Sequence, residues 1–377
     1  MRTLTIISHT EHYKTSQGTI VGLGSTITEI NHLVEVFDEV IHVAMLHESV
    51  PPPSALPYTS KKIKFFALPA LGGPKISDKL AIVWKAPSVI KTVNQAIKRT
   101  DYFQFRAPTG IGVFVIPYLI FFTSEKGWFK YAGNWKQKNA PIAYSFQRWL
   151  LRHQKRKVTI NGKWKNQKSQ CLTFENPCLT QEEISEGKRV INNKSIENTS
   201  LSFCFVGRLE AEKGIGLLIE TLTSLSITEK AKLNTIHIVG DGKAKKNYQT
   251  LANKSDLNFI FHGFLSRNEV HNIYKISHAI ILPSASEGFP KVIAEAMNYG
   301  CLPIVSNISS IEDYVKDEIN GFLFFPITLS NLADKIKKTL NLSGFQYSKM
   351  IQAQNQELIK FTYKYYNKRI KEELLGD

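Results

Sequence analysis

The second half of the chain alternates between short apolar segments and amphipathic segments at a regular spacing. Five strand-like and three helix-like segments follow one another there, with strands at 201–206, 235–239, 258–261, 279–282 and 302–305 and helices at 215–226, 267–276 and 291–299. Strands that alternate with helices at this spacing form βαβ units, which pair into a parallel sheet. The pattern therefore predicts an α/β domain with a Rossmann-like sheet, whose ligands bind at the carboxyl ends of the strands.

The first half shows a similar but less regular pattern. Strand-like segments occur at 4–7, 39–43, 64–67, 102–106 and 141–144. A length of 377 residues at about 150 residues per domain also favours two domains. The polar stretch at the end of the first half has few large apolar residues and is typical of a linker. We therefore predict two Rossmann-like domains facing a central cleft, with a first domain over 1–178, a linker over 179–199, a second domain over 200–344 and a C-terminal segment over 345–377.

Positive charge is concentrated in the first half. The whole chain has 48 Lys and Arg against 32 Asp and Glu, a net charge of +16. Residues 51–168 alone contain 22 Lys and Arg against three acidic residues (Asp78, Asp101 and Glu125), a net charge of +19, whereas residues 201–377 contain 21 basic and 18 acidic residues. The cations are interspersed with aromatic residues, which suits an anionic membrane surface or a nucleic-acid groove. A solvated face of a highly charged protein is the third reading.

The remaining composition points to a cytoplasmic protein. The four cysteines show neither a zinc-ligand spacing nor a disulfide framework, and the amino terminus has an apolar stretch too short for a signal peptide. The longest apolar run, 111–122, has twelve residues, is interrupted by Pro117 and is shorter than the roughly 20 residues needed to cross a bilayer. It favours a buried helix, with contact to one membrane face as the alternative.

One candidate ligand site follows the strand at 201–206. Gly207 allows the backbone to turn close to a ligand, and Arg208 and Lys213 lie in the loop that opens the next helix. The helix amino terminus adds positive potential, so the loop is suited to bind a diphosphate without a metal. The alternative is a surface loop in which Arg208 and Lys213 pair with Glu210 and Glu212.

A second candidate site follows the strand at 279–282. Glu287 and Gly288 come at its end, and Pro290 is placed for a first helical turn. Glu295 lies eight residues after Glu287, which would return it to within about 80° of the same helix face. Two carboxylates on one side of a helix start can bind the paired hydroxyls of a ribose and a hexose. The alternative is two solvent-facing glutamates on an amphipathic helix.

Taken together, these motifs resemble those of the GT-B glycosyltransferases of the large retaining family 4, the group 1 glycosyl transferases. The resemblance rests on residues 200–326 and on two elements, G-R-x-x-x-x-K-G at 207–214 and E-x7-E at 287–295. Shorter matches are G-D-G at 240–242, H-G-F at 262–264 and N-G-F at 320–322. The first domain resembles the family only in its opening strand and in the glycine-rich segment 18–25.

The resemblance implies a role for each candidate residue. Arg208 and Lys213 would neutralise the diphosphate that leaves a nucleotide-sugar, Glu287 would bind a hydroxyl of the donor sugar, and Glu295 would bind the ribose. The remaining donor contacts would come from Gly22, Gly207, Gly263, Phe264, Gly288 and Phe289. Many relatives have a histidine at the end of a first-domain strand, where this chain has Arg106, which would contact donor sugar or acceptor. No metal and no cofactor is implied.

The implied activity is a retaining, metal-independent transfer of a hexosyl group from a nucleotide-sugar to a glycan or lipid-diphosphate-linked acceptor, in bacterial-type cell-surface polysaccharide synthesis. In this architecture a C-terminal helix, here within 345–377, crosses back to the first domain. The basic segment 51–168 would bind an anionic membrane surface on the inner face of the plasma membrane, and no nucleic acid is expected. The alternatives are a nucleotide-sugar 2-epimerase on the same fold, a basic nucleic-acid-binding protein and a membrane-docked subunit without catalytic activity.

Overall fold

The computed structural model describes residues 1–73, 81–137, 139–197 and 200–377. Asp78, Lys138 and the last two residues of the predicted linker lie outside the described residues. The chain divides into two compact units. Unit 1 comprises Met1–Asn176 and Tyr365–Asp377, and unit 2 comprises Pro177–Lys364.

The described part of unit 1 is built around one sheet of nine strands. Its strands are β1 (Thr3–Lys14), β2 (Ile20–Leu23), β3 (Glu39–His47), β4 (Ala55–Pro57), β5 (Ile63–Pro69), β6 (Tyr102–Ala107), β7 (Lys126–Tyr131), β8 (Val158–Ile160) and β9 (Cys171–Thr173). Its helices before residue 176 are α1 (Gly24–Leu33), α2 (Ala86–Ile97), α3 (Gly112–Phe121) and α4 (Ile142–Arg152). Parallel pairing joins the strands in the order β5, β3, β1, β6, β7, β8, β9.

The last part of β1 stays parallel to β3 but gains an antiparallel partner on its other side. The register between β1 and β3 shifts between Ile7 and Glu11, and the end of β1 pairs antiparallel with β2. The segment 18–25, predicted as a glycine-rich loop, is therefore a hairpin turn, strand β2 and the start of α1. Gly18 has a φ of +84° in the turn, a conformation that favours glycine.

Of two other predictions for unit 1, a strand at 141–144 is wrong and a buried helix at 111–122 is confirmed. The segment 141–144 was expected to be a strand but begins helix α4, because apolar residues recur there at helical spacing, with Leu150 and Leu151 buried. The apolar run at 111–122 forms helix α3, which buries Val115, Ile116 and Leu119. Within the described residues no helix is both long enough and apolar enough to cross a membrane.

The described part of unit 2 contains a six-stranded parallel sheet. Its strands are β10 (Leu201–Val206), β11 (Leu233–Val239), β12 (Phe259–Gly263), β13 (Ala279–Leu282), β14 (Leu302–Ser306) and β15 (Phe322–Phe324). The surrounding helices are α5 (Gln181–Asn193), α6 (Ile215–Thr223), α7 (Ile227–Lys230), α8 (Lys245–Ala252), α9 (Arg267–Ile276), α10 (Lys291–Asn298), α11 (Ile311–Tyr314), α12 (Leu329–Leu340), α13 (Gly344–Ala353) and α14 (Asn355–Leu358). The five strands expected here all form, within about two residues of the expected bounds.

The order of these strands identifies where a ligand can bind. Neighbouring strands run β12, β11, β10, β13, β14, β15, which is the 3-2-1-4-5-6 order of the doubly wound fold. The order reverses between β10 and β13, so the connections after these two strands diverge and leave a crevice at their carboxyl ends. Both candidate motifs of the second half follow these two strands.

The predicted linker is wrong for most of its length. Residues 181–193 form helix α5 within unit 2, and Thr180 and Glu183 cap it with reciprocal side-chain to backbone hydrogen bonds. The predicted return of the C-terminal segment to the first domain is confirmed, but the segment is several elements and not a single helix. Residues 344–377 form α13, α14, a short 3₁₀ turn (Ile359–Phe361), α15 (Tyr363–Arg369) and a π-helical turn (Ile370–Leu375). Thr362 is extended, and residues from Tyr365 onward belong to unit 1.

Candidate functional site

The loops that follow β10 and β13 are bound to each other. The amide of Ala285 donates a hydrogen bond of 2.8 Å to the carbonyl of Glu212. Gly214 has a φ of +75°, and a Cβ at this position would lie 2.2 Å from the carbonyl oxygen of Pro283. Gly214 is also the residue before helix α6. A glycine is therefore required where the first loop enters its helix against the second loop.

The same two loops bring together two residues that the sequence predicted separately. Lys213 Nζ lies 2.5 Å from Glu287 Oε1, although 74 residues separate them in the chain. Their side chains keep 22% and 14% exposure. The alternative pairing of Lys213 with Glu212 is not the one found. A cation and a carboxylate are thus held side by side at the carboxyl edge of the sheet, beside the amino terminus of α6.

Arg208 pairs with Glu210 on the surface, as the alternative interpretation of this loop predicted. Its Nη1 lies 3.0 Å from Glu210 Oε1, and its side chain is 71% exposed. An exposed ion pair of this kind contributes only about 0–1 kcal/mol. An anionic ligand can therefore displace Glu210 from Arg208 at little cost.

The three glycine-containing turns after β10, β11 and β12 are joined by backbone contacts. Gly207 donates to the carbonyl of Val239, and Gly240 donates to the carbonyl of Gly263, at 3.0 and 2.8 Å. A Cβ on Gly240 would lie 1.9 Å from the carbonyl oxygen of Gly207, whereas a Cβ on Gly207 would be 3.6 Å from its nearest neighbour. A Cβ on Gly207 would make only an ordinary contact with the Phe205 ring, so packing does not by itself require glycine there, and the missing side chain leaves the backbone accessible to a ligand. Phe264 follows the last of these turns and is 45% exposed.

Gly288 and Phe289 continue the loop after β13. Ser310 Oγ donates to the carbonyl of Gly288 at 3.2 Å, and Ser309 Oγ donates to the carbonyl of Glu287. The Phe289 ring is buried and stacks on Phe361 with ring centroids 4.7 Å apart. Any contact of Phe289 with a ligand must therefore come from its backbone.

Glu295 lies in helix α10 with 9% exposure and is bound to a cation that the sequence analysis missed. Arg267 Nη1 lies 2.8 Å from Glu295 Oε1, and the same guanidinium donates through Nε and Nη2 to the carboxylate of Glu183 at 3.0 and 2.9 Å. Burial by itself would raise the pKa of Glu183, but Arg267, together with the Thr180 amide and His271, lowers that pKa. Glu287 precedes α10, so the helical rotation expected to align Glu287 with Glu295 does not apply.

Arg106, the first-unit candidate, is held by a buried carboxylate. Its Nη2 lies 2.9 Å from Glu29 Oε1, and Lys130 Nζ lies 2.6 Å from the same oxygen. Arg106 Nε also donates to Gln104 at 2.9 Å. The Arg106 side chain keeps 12% exposure, so its guanidinium is oriented before any ligand binds.

Gly22, the other candidate in unit 1, packs against a histidine ring that leaves no room for a side chain. A Cβ at Gly22 would lie 2.5 Å from the ring of His12 on the paired strand. His12 belongs to a buried network in which its Nε2 contacts the hydroxyl of Tyr58 at 2.9 Å, and Tyr58 contacts His42 at 2.7 Å. Ser8 completes the network with a contact of 2.8 Å to His42. Burial lowers the pKa of His12 to about 4, so its ring is neutral at physiological pH.

Sequence reasoning did not find this network or Arg267. The histidines are spaced by 30 residues and Tyr58 by another 16, so no local motif links them. The one local signal for Arg267 is the Ser266 to Glu269 capping box, which marks the start of α9 but not its partners. The described residues contain no group of three or more His, Cys, Asp or Glu placed to bind a metal ion.

Comparison with known proteins finds a family match in the second unit. Residues 188–357 match the family model described as glycosyl transferases group 1. This match lies within unit 2 and covers less than half of the chain. A galactosyltransferase of Escherichia coli, UDP-Gal:alpha-D-GlcNAc-diphosphoundecaprenol alpha-1,3-galactosyltransferase, is 36% identical over 132 residues, which are 34% of this chain and 33% of that protein. An uncharacterized glycosyltransferase of Methanocaldococcus jannaschii is 29% identical over 170 residues, which are 45% of this chain and 42% of that one. The chain thus spans less than half the length of these relatives.

Solved structures match the chain over its full length. Sucrose-phosphate synthase from Thermosynechococcus elongatus has a TM-score of 0.75 and 14% identity, with 99% of this chain and 98% of that chain covered. HepE of Anabaena in complex with UDP-glucose has a TM-score of 0.70 and 15% identity, and a glycosyltransferase from Rickettsia africae has a TM-score of 0.65 and 18% identity, each with 100% of both chains covered. At these identities the likeness concerns the fold, and it confirms the predicted GT-B class with Rossmann-like units.

Proposed function

We propose that this protein is a retaining, metal-independent hexosyltransferase that takes its sugar from a nucleotide-diphosphate donor. The acceptor is a glycan or a lipid-diphosphate-linked sugar in bacterial-type cell-surface polysaccharide synthesis. The observation that carries the proposal is the pairing of Lys213 with Glu287 at the crevice between β10 and β13. Ligands of doubly wound sheets bind at this crevice, and the match of unit 2 to the group 1 glycosyltransferases supports the same place.

The leaving diphosphate would bind near the amino terminus of α6. Lys213 and Arg208 supply positive charge there, and the free amides of the first helical turn add to it. Charge builds up on the diphosphate as the bond to the sugar breaks, so these groups bind the transition state more strongly than the ground state. Retention of configuration follows when the departing phosphate accepts the acceptor's proton on the same face of an oxocarbenium-like sugar.

The carboxylates would bind the two sugars of the donor. Oε1 of Glu287 is paired with Lys213, and Oε2 can accept a hydrogen bond from a hydroxyl of the transferred sugar. Oε1 of Glu295 is paired with Arg267, and Oε2 can accept a hydrogen bond from a ribose hydroxyl. The Gly263 and Phe264 turn, Gly207, and the backbone of Gly288 and Phe289 complete the donor contacts on unit 2. Gly22 and Arg106 are the candidates on unit 1.

Two further parts of the proposal concern the acceptor and the place of the reaction. The E. coli relative acts on a diphosphoundecaprenol substrate, as its name states, which supports a lipid-linked acceptor here. Residues 51–168 have a net charge of +19, and anionic lipid attracts each nearby Lys or Arg by about 1 kcal/mol. Docking of the basic unit on the inner face of the plasma membrane would bring the enzyme to such an acceptor.

Substitution of the two cations tests the catalytic proposal. A thermal-shift screen of UDP-, GDP- and ADP-sugars first identifies the donor, because a ligand at 100 times its Kd stabilises the folded state by about 2.7 kcal/mol. With that donor, Lys213→Ala and Arg208→Ala should each lower kcat by about 10²-fold, the usual loss for one preorganised charge donor. The measurement is steady-state release of the nucleoside diphosphate.

Two controls complete this test. Lys254→Ala removes an exposed lysine in the turn that follows helix α8 of unit 2 and should leave kcat unchanged. Addition of EDTA should also leave turnover unchanged, and strong inhibition would show that a metal neutralises the diphosphate. Turnover of Lys213→Ala and Arg208→Ala equal to that of the unsubstituted protein would refute the proposed role of these two cations in binding the leaving diphosphate.

A further inference from the structure

Helix α4 of unit 1 carries a row of large apolar side chains that face solvent. Ile142 is 89% exposed, Phe146 is 38% exposed and Trp149 is 56% exposed. Their spacing of four and then three residues places all three on one side of the helix. The opposite side holds the helix to the protein through Gln147 and Leu151, which are buried.

The neighbouring helix α3 ends in two more exposed aromatic residues, Phe121 at 68% and Phe122 at 77% exposure. Helix α3 connects β6 to β7 and α4 connects β7 to β8, so right-handed crossovers place both helices on the same side of the sheet. Arg156 Nη2 donates to the carbonyl of Thr123 at 2.8 Å, which joins the segment after α4 to the end of α3. We call Phe121, Phe122, Ile142, Phe146 and Trp149 the apolar face.

Cations lie at and just after the carboxyl ends of the two helices that carry the apolar face, and carboxylates are nearly missing from this part of the sequence. Between residues 102 and 174 the chain has 13 Lys and Arg, and its one acidic residue is Glu125. Arg152, the last residue of α4, is exposed, and so are Lys126, Lys155 and Lys157, which follow the ends of α3 and α4. Lysine is depleted at protein–protein interfaces, whereas Lys and Arg next to Trp are typical of a helix lying in an anionic membrane interface.

From this combination we infer that α4 lies in the plane of an anionic bilayer and buries the apolar face at the boundary of headgroups and acyl chains. Arg152 and Lys155 then bind headgroup phosphates beside it. The inference rests on the membrane docking in the proposed function and adds the inserting surface. It differs from docking by the +19 charge alone, because burial of apolar area contributes free energy that salt does not screen.

Sedimentation of the full-length protein with vesicles tests the inserting surface. The vesicles are pure phosphatidylcholine or phosphatidylcholine with phosphatidylglycerol, each at low and at high salt. We expect binding to the anionic vesicles, with a fraction that persists at high salt. The triple variant Ile142→Ser, Phe146→Ser, Trp149→Ser should lose that fraction and partition at least about tenfold more weakly at low salt. The charge variant Arg152→Gln, Lys155→Gln should lose about 30-fold at low salt, since each cation contributes about 1 kcal/mol.

A matched control removes an exposed isoleucine elsewhere. Ile227→Ser, at an 87% exposed position of unit 2, should bind vesicles as the unsubstituted protein does. All these variants should keep the donor-induced thermal shift, because the substituted side chains lie outside the proposed donor site.

Each remaining outcome separates the two proposals. If the triple variant binds like the unsubstituted protein, or if high salt releases all protein, charge alone docks unit 1 and the inserting surface is refuted. If no form binds anionic vesicles, membrane docking fails while donor binding still supports glycosyl transfer. Concentration-dependent dimerisation that the triple variant abolishes, without vesicle binding, would assign the face to a second copy of the chain and overturn the inference.

Discussion

At the residue scale, the carboxylates of the candidate site are each bound to a cation that lies far away in the sequence. Glu287 is bound to Lys213, and Glu295 shares Arg267 with Glu183. A buried carboxylate without a partner costs several kcal/mol, so the fold can keep these two only because the cations are present. The pairs also hold each carboxylate in one orientation before a donor binds.

Arg267 should therefore affect stability more than its lack of a motif implies. Arg267→Met leaves Glu183 and Glu295 without their shared cation, and we expect a loss of about 3 kcal/mol in the free energy of unfolding at neutral pH. Arg267→Lys keeps the charge but not the planar fork and should lose less. The measurement is urea unfolding followed by far-UV circular dichroism.

The loss of unfolding free energy in Arg267→Met should also depend on pH, and it should be smaller at low pH. Arg267 lowers the pKa of Glu183 in the folded protein, so the pair stabilises the fold above the unfolded pKa of about 4.3. This stability is lost as the pH falls through the lowered folded pKa. The difference between the unsubstituted protein and Arg267→Met should shrink under acid conditions, and a difference that stays constant would contradict the ion-pair explanation.

At the scale of elements, helix α5 shows how composition misled the linker prediction. Its residues are polar because most of one side faces solvent, yet Gly187 and Ile191 are buried against the unit. A short amphipathic helix with two buried positions has the average composition of a loop. The capping box at Thr180 and Glu183 was the local signal for a helix start.

Close packing at Gly187 reverses the usual effect of a helical glycine. A Cβ there would lie 2.1 Å from the carbonyl oxygen of Asn298, so Gly187→Ala should destabilise unit 2 even though alanine is favoured in helices by about 1 kcal/mol. Gly216 in α6 is the matched control, because a Cβ there would meet Tyr248 at 3.4 Å, an ordinary contact. Gly216→Ala should be neutral or stabilising. Thermal unfolding by circular dichroism measures both, and equal midpoints for the two variants would contradict the packing argument.

At the scale of the whole molecule, unit 1 is discontinuous in sequence. Its last residues, Tyr365–Asp377, follow unit 2 in the chain. Tyr366 and Ile370 are buried in a cluster with Leu4 and Phe174. Unit 1 therefore needs both ends of the chain to complete its core, whereas unit 2 is one continuous segment.

Removal of the tail should weaken unit 1 selectively. A chain ending at Lys364 lacks Tyr366 and Ile370, and the milder Ile370→Ala should cost about 2–5 kcal/mol as a buried truncation. All five tryptophans lie in unit 1, so tryptophan fluorescence during urea unfolding reports on this unit. Ile359→Ala, at a 59% exposed position of unit 2, is the control. A fluorescence midpoint unchanged by both tail changes would show that the tail adds nothing to the core.

The sequence by itself determined the parts of this protein that depend on local order along the chain. Apolar segments of strand length, separated by amphipathic ones, were enough to predict five of the six strands in the sheet of unit 2, and only the short β15 was missed. They were also enough to predict that Arg208, Lys213 and Glu287 follow strand ends, because side-chain periodicity and turn residues act over a few positions. Charge counts located the basic segment for the same reason.

Only the tertiary structure decided which of these residues meet. The strand order places β10 beside β13, and this brings Lys213 to Glu287 across 74 residues. The tertiary structure also decided that Arg267 binds Glu295, that the His12 ring requires glycine at position 22, and that the apolar side of α4 faces solvent. Contacts between distant segments depend on how whole elements pack, and the spacing of residues along the chain carries no record of that packing.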